Sequence, residues 1–446
     1  QDQFEAQTSS IWPLAFPQTT IANACRFDDG SSDYFDKSSY ATSTSTKQFT
    51  WSCWFKIGET PARGRFFDFW KGSGSGFSYS NALFFTSSNE LGIGSGDDSN
   101  GRIITNRVFR DPSAWYHVVA VYDSPNSTAA DRLRLYVNGE RETSFSASVD
   151  ATQNWDYQAF TSNHGGIGTY YDKSTSTEFF DGYMAEVIFI DGQALDQTSF
   201  GAFNPVTNIW EPIGYAGTYG NNGFRLDFAN SSALGNDVSG NDNDFTVNNL
   251  TSIDQSTDTC SNNFCIFNPV DIPANSSGST GTIHDLSDGN LTLTNTNSAF
   301  REARSTFYLT QGKWYWEAKS TREGGSQSQV GVVLNNYSGG SGQRRVYQHN
   351  AKKYDDGGSS DYGATWTTND IIGVALNLDD GEITFYKNGS SQGVAFTDLL
   401  TSIDDTGWIP TFNSYNGDMS FNFGSPPYAI SSGNADANGF GNFEYA

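Results

Sequence analysis

The chain has 446 residues, with 25 lysines and arginines against 50 aspartates and glutamates, and its formal charge at pH 7 is −25. Such an excess of negative charge repels nucleic acid and anionic membranes, so neither is an expected partner. Hydrophobic residues make up 36% and aromatic residues 15%, with 46 glycines, which is typical of short strands joined by many turns. No apolar run approaches the roughly 18 residues of a membrane-spanning helix, so membrane insertion is not expected.

Apolar residues recur at every second position through most of the first half, as in the strands of a β-sheet. The predicted strands cover residues 49–57, 115–122, 133–137 and 186–191. Asn138-Gly139 and Asp191-Gly192 follow two of these strands, and such pairs are strong hairpin signals. No amphipathic helix is predicted, and only residues 193–200 suggest a helical turn or two.

From residue 229 to about residue 280 the apolar residues thin out, and Asn, Asp, Ser and Gly dominate. Residues 230–244 indicate an irregular loop, and residues 272–279 indicate a linker. This stretch is predicted to be the seam between two domains that fold separately. Expressed alone, residues 283–428 are therefore expected to melt cooperatively.

The alternation returns in the second half. The predicted strands there cover residues 312–319, 329–334, 371–378, 382–387 and 419–423. Gly331 lies inside one of them and indicates a close approach of two backbones. Residues 384–389 run through Tyr into Asn-Gly, as residues 134–139 do, so the two halves are expected to have related architectures.

Motifs along the chain resemble two known domain families. Residues 21–210 resemble the laminin-G-like, concanavalin A-like lectin/glucanase superfamily through residues 27–34, 49–55, 115–119, 135–139 and 180–186. Residues 283–428 resemble a SPRY domain through residues 312–317, 330–332, 370–375, 383–389 and 408–410. The resemblance implies an all-β fold class, with two antiparallel β-sandwiches of concanavalin A-like and SPRY type joined by an Asn/Asp/Ser-rich connector.

The predicted layout has five parts. They are an N-terminal extension at 1–20, a laminin-G-like sandwich at 21–228, a connector at 229–282, a SPRY-like sandwich at 283–428 and a C-terminal extension at 429–446. Because the chain begins with Gln1 and not with Met, it is expected to be processed or a fragment. Residues 439–446 resemble the start of a further segment in related proteins, so the natural chain is expected to continue beyond Ala446.

The order of the two domains, with residues 237–241 and 262–264 between them, resembles virion-associated fibre or tail proteins of bacteriophages. This resemblance implies a structural protein on the virion surface. Its implied partners are a host-surface glycan or receptor, other virion proteins and further copies of itself in a homo-oligomer. A bacterial secreted or cell-surface adhesin is an alternative, and a polysaccharide-cleaving fibre enzyme is another.

The enzyme alternative arises because glucanases share this sandwich. Retaining hydrolysis needs two carboxylates about 5–5.5 Å apart. The nearest candidates are Glu186 and Asp191, but their odd separation places the two side chains on opposite faces unless a bulge intervenes. Glu317 and Glu382 each stand alone and are interpreted as solvent-facing strand carboxylates. The chain is therefore predicted not to be an enzyme.

Two oxygen-rich windows are calcium candidates. One contains Asp28, Asp29 and Asp33, and the other contains Asp237 and Asp242. Calcium takes 6–8 hard oxygen ligands, often from such loops, and laminin-G-like domains often hold one calcium ion. The alternative is a set of Asx turns whose carboxylates cap their own backbone.

The four cysteines lack the spacing of a metal site. They are Cys25, Cys53, Cys260 and Cys265. Buried free thiols are the favoured interpretation. A bond between Cys25 and Cys53 across neighbouring strands, and a small loop closed by Cys260 and Cys265, are left open.

In SPRY domains the partner surface is formed by loops at one end of the sandwich, and the matching stretch here is residues 335–361. It combines aromatic and basic side chains in an otherwise acidic chain: Tyr337, Arg344, Arg345, Tyr347, Lys352, Lys353 and Tyr354. Aromatic rings supply contact area, and arginine binds carboxylates and phosphates through two parallel bonds. Acidic sugars, lipopolysaccharide phosphates or an acidic protein face are the expected ligands, with a solvated loop as the alternative.

Overall fold

The computed structural model describes most of the chain, and the statements below concern the described residues. These are residues 19–59, 64–70, 80–95, 100–157, 165–171, 176–271, 284–296, 299–322, 328–334, 343–355, 357–402, 407–436 and 439–446. No helix within these ranges has the length and apolar character needed to cross a membrane.

The first half forms two antiparallel sheets that pack face to face. Its strands are β1 (Ala24–Phe27), β2 (Tyr34–Lys37), β3 (Gln48–Ile57), β4 (Arg65–Trp70), β5 (Ser80–Phe85), β6 (Glu90–Ser95), β7 (Arg102–Val108), β8 (Tyr116–Asp123), β9 (Leu133–Val137), β10 (Glu140–Arg141), β11 (Phe145–Val149), β12 (Gly165–Ile167), β13 (Tyr170–Tyr171), β14 (Ser176–Thr177), β15 (Gly182–Asp191), β16 (Gly201–Phe203), β17 (Trp210–Pro212), β18 (Phe224–Leu226), β19 (Thr246–Asn248) and β20 (Gln255–Ser256). Short 3₁₀ turns cover Ala129–Asp131, Gln197–Ser199 and Ser252–Asp254, and the second of these confirms the helical turn expected within residues 193–200.

One sheet has the order β10-β9-β8-β3-β15-β1-β20, with β18 beside β15. The other has the order β11-β7-β6-β5-β4-β12-β2-β19, and β13–β14 and β16–β17 form small separate pairs. The odd-numbered residues of β3, from Phe49 to Ile57, enter the core between the two sheets, as the alternation predicts. Its opposite face is also covered, because Trp54 packs with Ile21 and Trp210 in a second apolar cluster.

The predicted connector is divided between the two sandwiches. Residues 230–244 are irregular, as predicted. β19 and β20, however, extend the two sheets of the first sandwich by pairing with β2 and β1. Phe245 lies in the core of the first sandwich, and Phe267 lies in the core of the second. The few apolar residues of this stretch are therefore enough to attach it to both halves; its predicted linker at 272–279 lies outside the described residues.

The second half forms two further antiparallel sheets. Its strands are β21 (Asp285–Ser287), β22 (Thr292–Thr294), β23 (Phe300–Arg304), β24 (Lys313–Arg322), β25 (Gln329–Leu334), β26 (Arg344–Gln348), β27 (Asn350–Tyr354), β28 (Ser359–Thr365), β29 (Ile371–Asn377), β30 (Glu382–Lys387), β31 (Ser390–Phe396), β32 (Trp408–Tyr415) and β33 (Asp418–Asn422), with one short helix, α1 (Leu399–Ser402). The sheet orders are β21-β22-β33-β24-β29-β30-β31 and β23-β32-β25-β26-β27-β28.

The core of the second sandwich lies between these sheets and contains Trp316, Trp366 and Trp408. The close backbone approach expected at Gly331 is confirmed, because a Cβ atom there would lie 2.2 Å from the carbonyl oxygen of Arg345. The all-β fold with two antiparallel sandwiches, predicted from the sequence, is confirmed.

The two sandwiches contact each other through buried polar groups. The Tyr183 hydroxyl donates to the carbonyl oxygen of Gly289 over 2.9 Å, and the Asn290 side chain donates to the carbonyl oxygen of Gly58. Ser256, from the connector, lies 2.9 Å from Ser425 of the second sandwich, hydroxyl to hydroxyl. These contacts join the halves by specific hydrogen bonds.

All four cysteines are free thiols in the structure, and all but Cys260 are buried. Cys25 and Cys53 do not lie on neighbouring strands, since β15 pairs with both β1 and β3 and separates them. Burial raises the pKa of both thiols well above the ordinary value.

Candidate functional site

A cleft of about 420 Å³ opens where the connector, the second sandwich and the C-terminal segment (residues 431–446) meet. Its walls are largely aromatic: Phe264 from the connector, Trp314, Tyr315 and Trp316 from β24, Phe423 after β33, and Phe440 and Phe443 from the C-terminal segment. Lys313, Asp436 and Asn262 add polar groups to the lining. An aromatic concavity with a few polar groups is the usual form of a small-molecule or glycan site.

Two aromatic side chains of this cleft are exposed enough to touch a ligand. Trp314 is 41% exposed and Phe440 is 59% exposed. The indole N–H of Trp314 donates to the carbonyl oxygen of Gln311 over 2.8 Å, which fixes the plane of the ring. Trp316, two residues further along β24, is buried. Trp314 and Trp316 are two positions apart on β24 and share a face of the strand. Trp314 was not predicted as a site residue, and the available signal was an aromatic ring at the very start of the strand.

The C-terminal segment is held by Glu317. This glutamate is fully buried, contrary to its interpretation as solvent-facing. Its carboxylate accepts the backbone N–H groups of Glu444 and Tyr445 over 2.9 and 2.7 Å, and also the Tyr315 hydroxyl over 3.1 Å. The last residues return to β24 and form one wall of the cleft, which strand alternation alone cannot reveal.

The predicted binding loop at 335–361 is partly a hairpin of β26 and β27. Tyr337 lies outside the described residues. The sequence suggests that Arg344 and Arg345 are exposed and free to bind a ligand. This expectation is corrected by the structure, because the two residues are only 6% and 2% exposed. Arg344 donates to Glu302 over 2.6 Å, and Arg345 binds Asp398 through two bonds of 2.9 and 2.6 Å. These arginines stabilise the sandwich and offer no free fork to an anion.

The remaining members of that predicted site are also engaged. The Lys352 ammonium donates to Asp361 over 2.6 Å, and Lys353 donates to the carbonyl oxygen of Ala395. Tyr347 is buried, and its hydroxyl donates to the carbonyl oxygen of Ala364. Tyr354 is half-buried on β27. Of the predicted basic cluster, only the partly exposed Lys352 and Lys353 therefore contribute positive charge to the surface at this end.

The two carboxylates considered for hydrolysis have separate partners. A bulge does interrupt β15 between Ala185 and Ile188. Glu186 forms two bonds with Arg225, at 2.6 and 3.1 Å. Asp191 is buried, and its oxygens accept from Ser43 and from the backbone N–H of Thr44. Each carboxylate therefore serves its local structure.

A buried serine–histidine pair also lies in the first sandwich. The Ser52 hydroxyl is 2.8 Å from Nε2 of His117, and the Trp210 indole N–H donates to Nδ1 over 3.0 Å. Because an indole can only donate, Nδ1 of a neutral His117 accepts, so Nε2 carries the proton and donates to Ser52. Burial lowers the pKa of His117 to about 3, so the neutral form prevails. This arrangement leaves the Ser52 hydroxyl without a base.

The first predicted calcium window is rearranged in the structure. Asp28 and Asp29 do come together, but the third carboxylate beside them is Asp181, with ligand atoms of all three within 4.8 Å of one another. Asp33 instead accepts from the Asp28 backbone N–H over 3.0 Å and from the Ser31 hydroxyl over 2.6 Å. Asp33 thus closes the turn, as the Asx-turn alternative describes.

In the second window the carboxylate of Asp237 is filled by protein donors. It accepts the backbone N–H groups of Arg225, Ser239 and Asn243 over 2.8–2.9 Å. Asp242 is exposed in the same loop and has a positive φ of 56°. The Asp237 loop is therefore organised as an Asx turn.

Comparison with known proteins identifies both domains. Residues 29–199 match the family described as the concanavalin A-like lectin/glucanases superfamily, and residues 313–426 match the SPRY domain. The chain thus contains one domain of each kind, in the order expected from the sequence.

Individual relatives match only in part. The chain is 30% identical over 141 residues to E3 ubiquitin-protein ligase RKP of Arabidopsis thaliana, covering 29% of this chain and 10% of that protein. It is 33% identical over 129 residues to ATP-dependent RNA helicase Ddx1 of Drosophila melanogaster, covering 28% and 17%. The crystal structure of the SPRY domain of human HERC1 is 19% identical with a TM-score of 0.26, covering 29% of this chain and 87% of that one. The chain therefore spans less than a fifth of the length of these two curated relatives.

Proposed function

We propose that the chain is a non-enzymatic recognition module that binds a neutral glycan in the aromatic cleft of its second half. The observation that carries the proposal is the exposed Trp314 ring, held in plane at the mouth of a concave aromatic site. Sugar rings present apolar faces that stack on such a platform, while amide and charged groups bind their hydroxyls. Domains of the two matched families bind glycans or proteins, which agrees with this role.

A neutral ligand is favoured over an acidic one for three reasons. Among its described lining residues the cleft carries one cation and one anion, Lys313 and Asp436, so these residues give it no net preference for negative charge. The arginines that supported acidic ligands at residues 335–361 are buried in ion pairs. The charge of −25 on the whole chain also disfavours an approaching anion.

At a finer level, we propose that the module serves on a virion surface or tail fibre and binds a host-surface glycan. Support comes from the resemblance of the domain order and the connector motifs to phage fibre proteins. A secreted or cell-surface adhesin would use the same cleft. Electron microscopy of intact particles with this chain labelled tests the location, and absence of the label from purified particles would favour the adhesin.

The test of glycan binding is a glycan array with the full chain, followed by titration of the best neutral glycan. Replacing Trp314 by Ala is expected to weaken binding about tenfold, because one aromatic contact contributes about 1–1.5 kcal/mol. Trp155→Ala is the matched control, since Trp155 lies in the first sandwich with nearly the same exposure, 42% against 41%.

Equal affinity of the Trp314→Ala variant and wild type would place the site elsewhere. Equal loss in both tryptophan variants would indicate a general loss of folding. The array material also tests the absence of catalysis: reducing ends released by the pure protein, and lost in Glu186→Gln, would contradict the non-enzymatic proposal.

A further inference from the structure

A buried lysine of the first sandwich lies against the side-chain amide of an asparagine from the connector. Lys56, on β3, is fully buried, and its Nζ atom is 2.8 Å from Oδ1 of Asn263. Nδ2 of Asn263 donates to the carbonyl oxygen of Ser113 over 2.8 Å, so the amide is held with its oxygen toward the lysine. The amide carbon is one bond beyond that oxygen. The amine therefore needs only a small movement to come within about 3–3.5 Å of this carbon, the range from which attack occurs.

A carboxylate that can take a proton from the lysine lies beside it. Oδ2 of Asp258 is 2.9 Å from Nζ of Lys56, and this aspartate is only 2% exposed. Its other oxygen accepts the indole N–H of Trp115 over 2.9 Å, which holds the carboxylate in place. A lysine ammonium becomes a nucleophile only when it loses a proton, and an adjacent base is a common means of activating a nucleophile. Asp258 occupies the position of that base.

The surroundings keep water from the lysine and leave an exit at the asparagine. The centroid of the Tyr183 ring is 5.7 Å from Nζ of Lys56, and the rings of Tyr183 and Trp115 are 6.2 Å apart, centroid to centroid. Asn263 is exposed and lines the aromatic cleft, so a small molecule released from its side chain can reach solvent. A buried ion pair is costly to desolvate, and a reaction that removes both charges relieves that cost.

We propose that Lys56 and Asn263 react to form an isopeptide bond between β3 and the connector. Asp258 takes one proton from the ammonium, and the neutral amine attacks Cγ of Asn263. The new bond joins Nζ to Cγ, the bond from Cγ to Nδ2 breaks, and a second proton of the amine leaves with Nδ2 as ammonia. The first proton stays on Asp258, so the ion pair is replaced by an uncharged amide beside a neutral carboxyl group. The structure shows the side chains as they stand before this reaction.

The experiment is peptide mapping of the full chain by mass spectrometry, after unfolding and digestion with trypsin. In the wild type, residues 48–63 and 226–301 should appear as one joined species, lighter than the two peptides together by one molecule of ammonia. Trypsin should not cut at Lys56 in that species. The joined peptides are the decisive readout, since cyclisation of Gln1 also releases ammonia and an intact mass cannot distinguish the two reactions.

Asn263→Ala, at an exposed position, should abolish the joined species while the chain still folds. Asn262→Ala is the matched control, because this neighbour also lines the cleft, and it should keep the joined species. Peptides found only separately in the wild type would overturn the proposal and leave Lys56 as a hydrogen-bonded lysine. A joined species in Asn263→Ala would overturn it as well.

The role of Asp258 is tested by the rate of the reaction after refolding. Asp258→Asn retains the size of the side chain but cannot take the proton, so the joined species should form at least tenfold more slowly than in the wild type. A melting transition recorded on the same samples shows that the variant has folded. Formation at the wild-type rate in the folded variant would overturn the assignment of Asp258 as the base.

Discussion

The two sandwiches share one turn but complete it differently. Asn138 donates its backbone N–H to the carbonyl oxygen of His117 over 2.9 Å, and its side chain accepts the His117 N–H over 2.7 Å. Asn388 makes the same two bonds with Ile371, both at 2.8 Å. The following glycines differ in what covers them: Gly139 lies against Trp210, and Gly389 lies against Tyr445.

The difference shows which part of the chain covers the shared turn in each sandwich. The first is covered by Trp210 of β17, which follows soon after its central strand β15. The second is covered by Tyr445, from the end of the chain, and the same segment places two N–H groups on the buried Glu317. Two related sheets can therefore keep a common turn while their outer faces depend on unrelated segments.

The largest effect is expected from removing residues 431–446. Glu317 would lose the N–H groups of Glu444 and Tyr445, and a buried charge that loses partners costs about 3–5 kcal/mol. Denaturant unfolding should show that loss in the second sandwich, and glycan binding in the cleft should fall with it. Adding Glu317→Gln to the truncated chain should restore part of the stability, because it removes the buried charge. A truncated chain as stable as the full chain would contradict the role of Glu317.

A smaller effect should distinguish the two sandwiches by pH. Burial lowers the pKa of His117 to about 3, and burial with the nearby Arg301 charge lowers the pKa of His284 to about 3 against the opposing charge of Asp418. An unfolded histidine binds a proton below about pH 6.5, whereas these folded ones do not, so stability falls as the pH decreases from 6.5 towards 3. By pH 4.5 each histidine should cost about 2–3 kcal/mol.

The measurement is thermal unfolding of His117→Gln and His284→Gln at pH 7 and pH 4.5. Each variant should lose less stability between the two pH values than wild type does. Local hydrogen exchange should place the change in the first sandwich for His117→Gln and in the second for His284→Gln. An unchanged pH dependence in both variants would show that other groups control acid unfolding.

The smallest effect concerns the shared turn. Asn138→Ala and Asn388→Ala each remove a side-chain acceptor, at backbone φ values of 48° that asparagine tolerates better than alanine. Each should lower stability by about 1–2 kcal/mol. Chemical unfolding of the two variants measures this directly. A much larger loss in only one of them would show that the covering residue, Trp210 or Tyr445, depends on the turn.

Strand alternation predicted much of this fold because it reports which residues face a core. β25 and β30 have the bounds expected from the sequence. The two Asn-Gly pairs correctly mark the turns after β9 and β30. Alternation could not show that Glu317 is buried, since its covering residues lie more than 120 positions away. A polar residue at a strand position gives the same sequence pattern whether its side chain faces water or is buried against a backbone segment from far along the chain.

The candidate site was harder to predict for the same reason. Arg344 and Arg345 stand next to each other in the sequence, and adjacent charges suggested an exposed cluster. On β26 they meet different partners, Glu302 of β23 and Asp398 before α1. Both arginines are buried. Composition identified Asp28 and Asp29, whereas Asp181 needed the pairing of β1 with β15, which no local pattern gives.

The Lys56 ammonium has a mechanical consequence. It is fully buried, and its three protons are used by Asp258, Asn263 and the carbonyl oxygen of Phe264, at 2.9, 2.8 and 3.0 Å. All three acceptors belong to the segment that leads from the first sandwich to the second. A force applied to the second sandwich is therefore transmitted through this segment to Lys56 on β3, a central strand of the first sandwich. The segment does not behave as a flexible linker. Under tension the buried Lys56 ammonium must become exposed before the segment can detach from β3. The two sandwiches are therefore expected to resist an applied force as one unit.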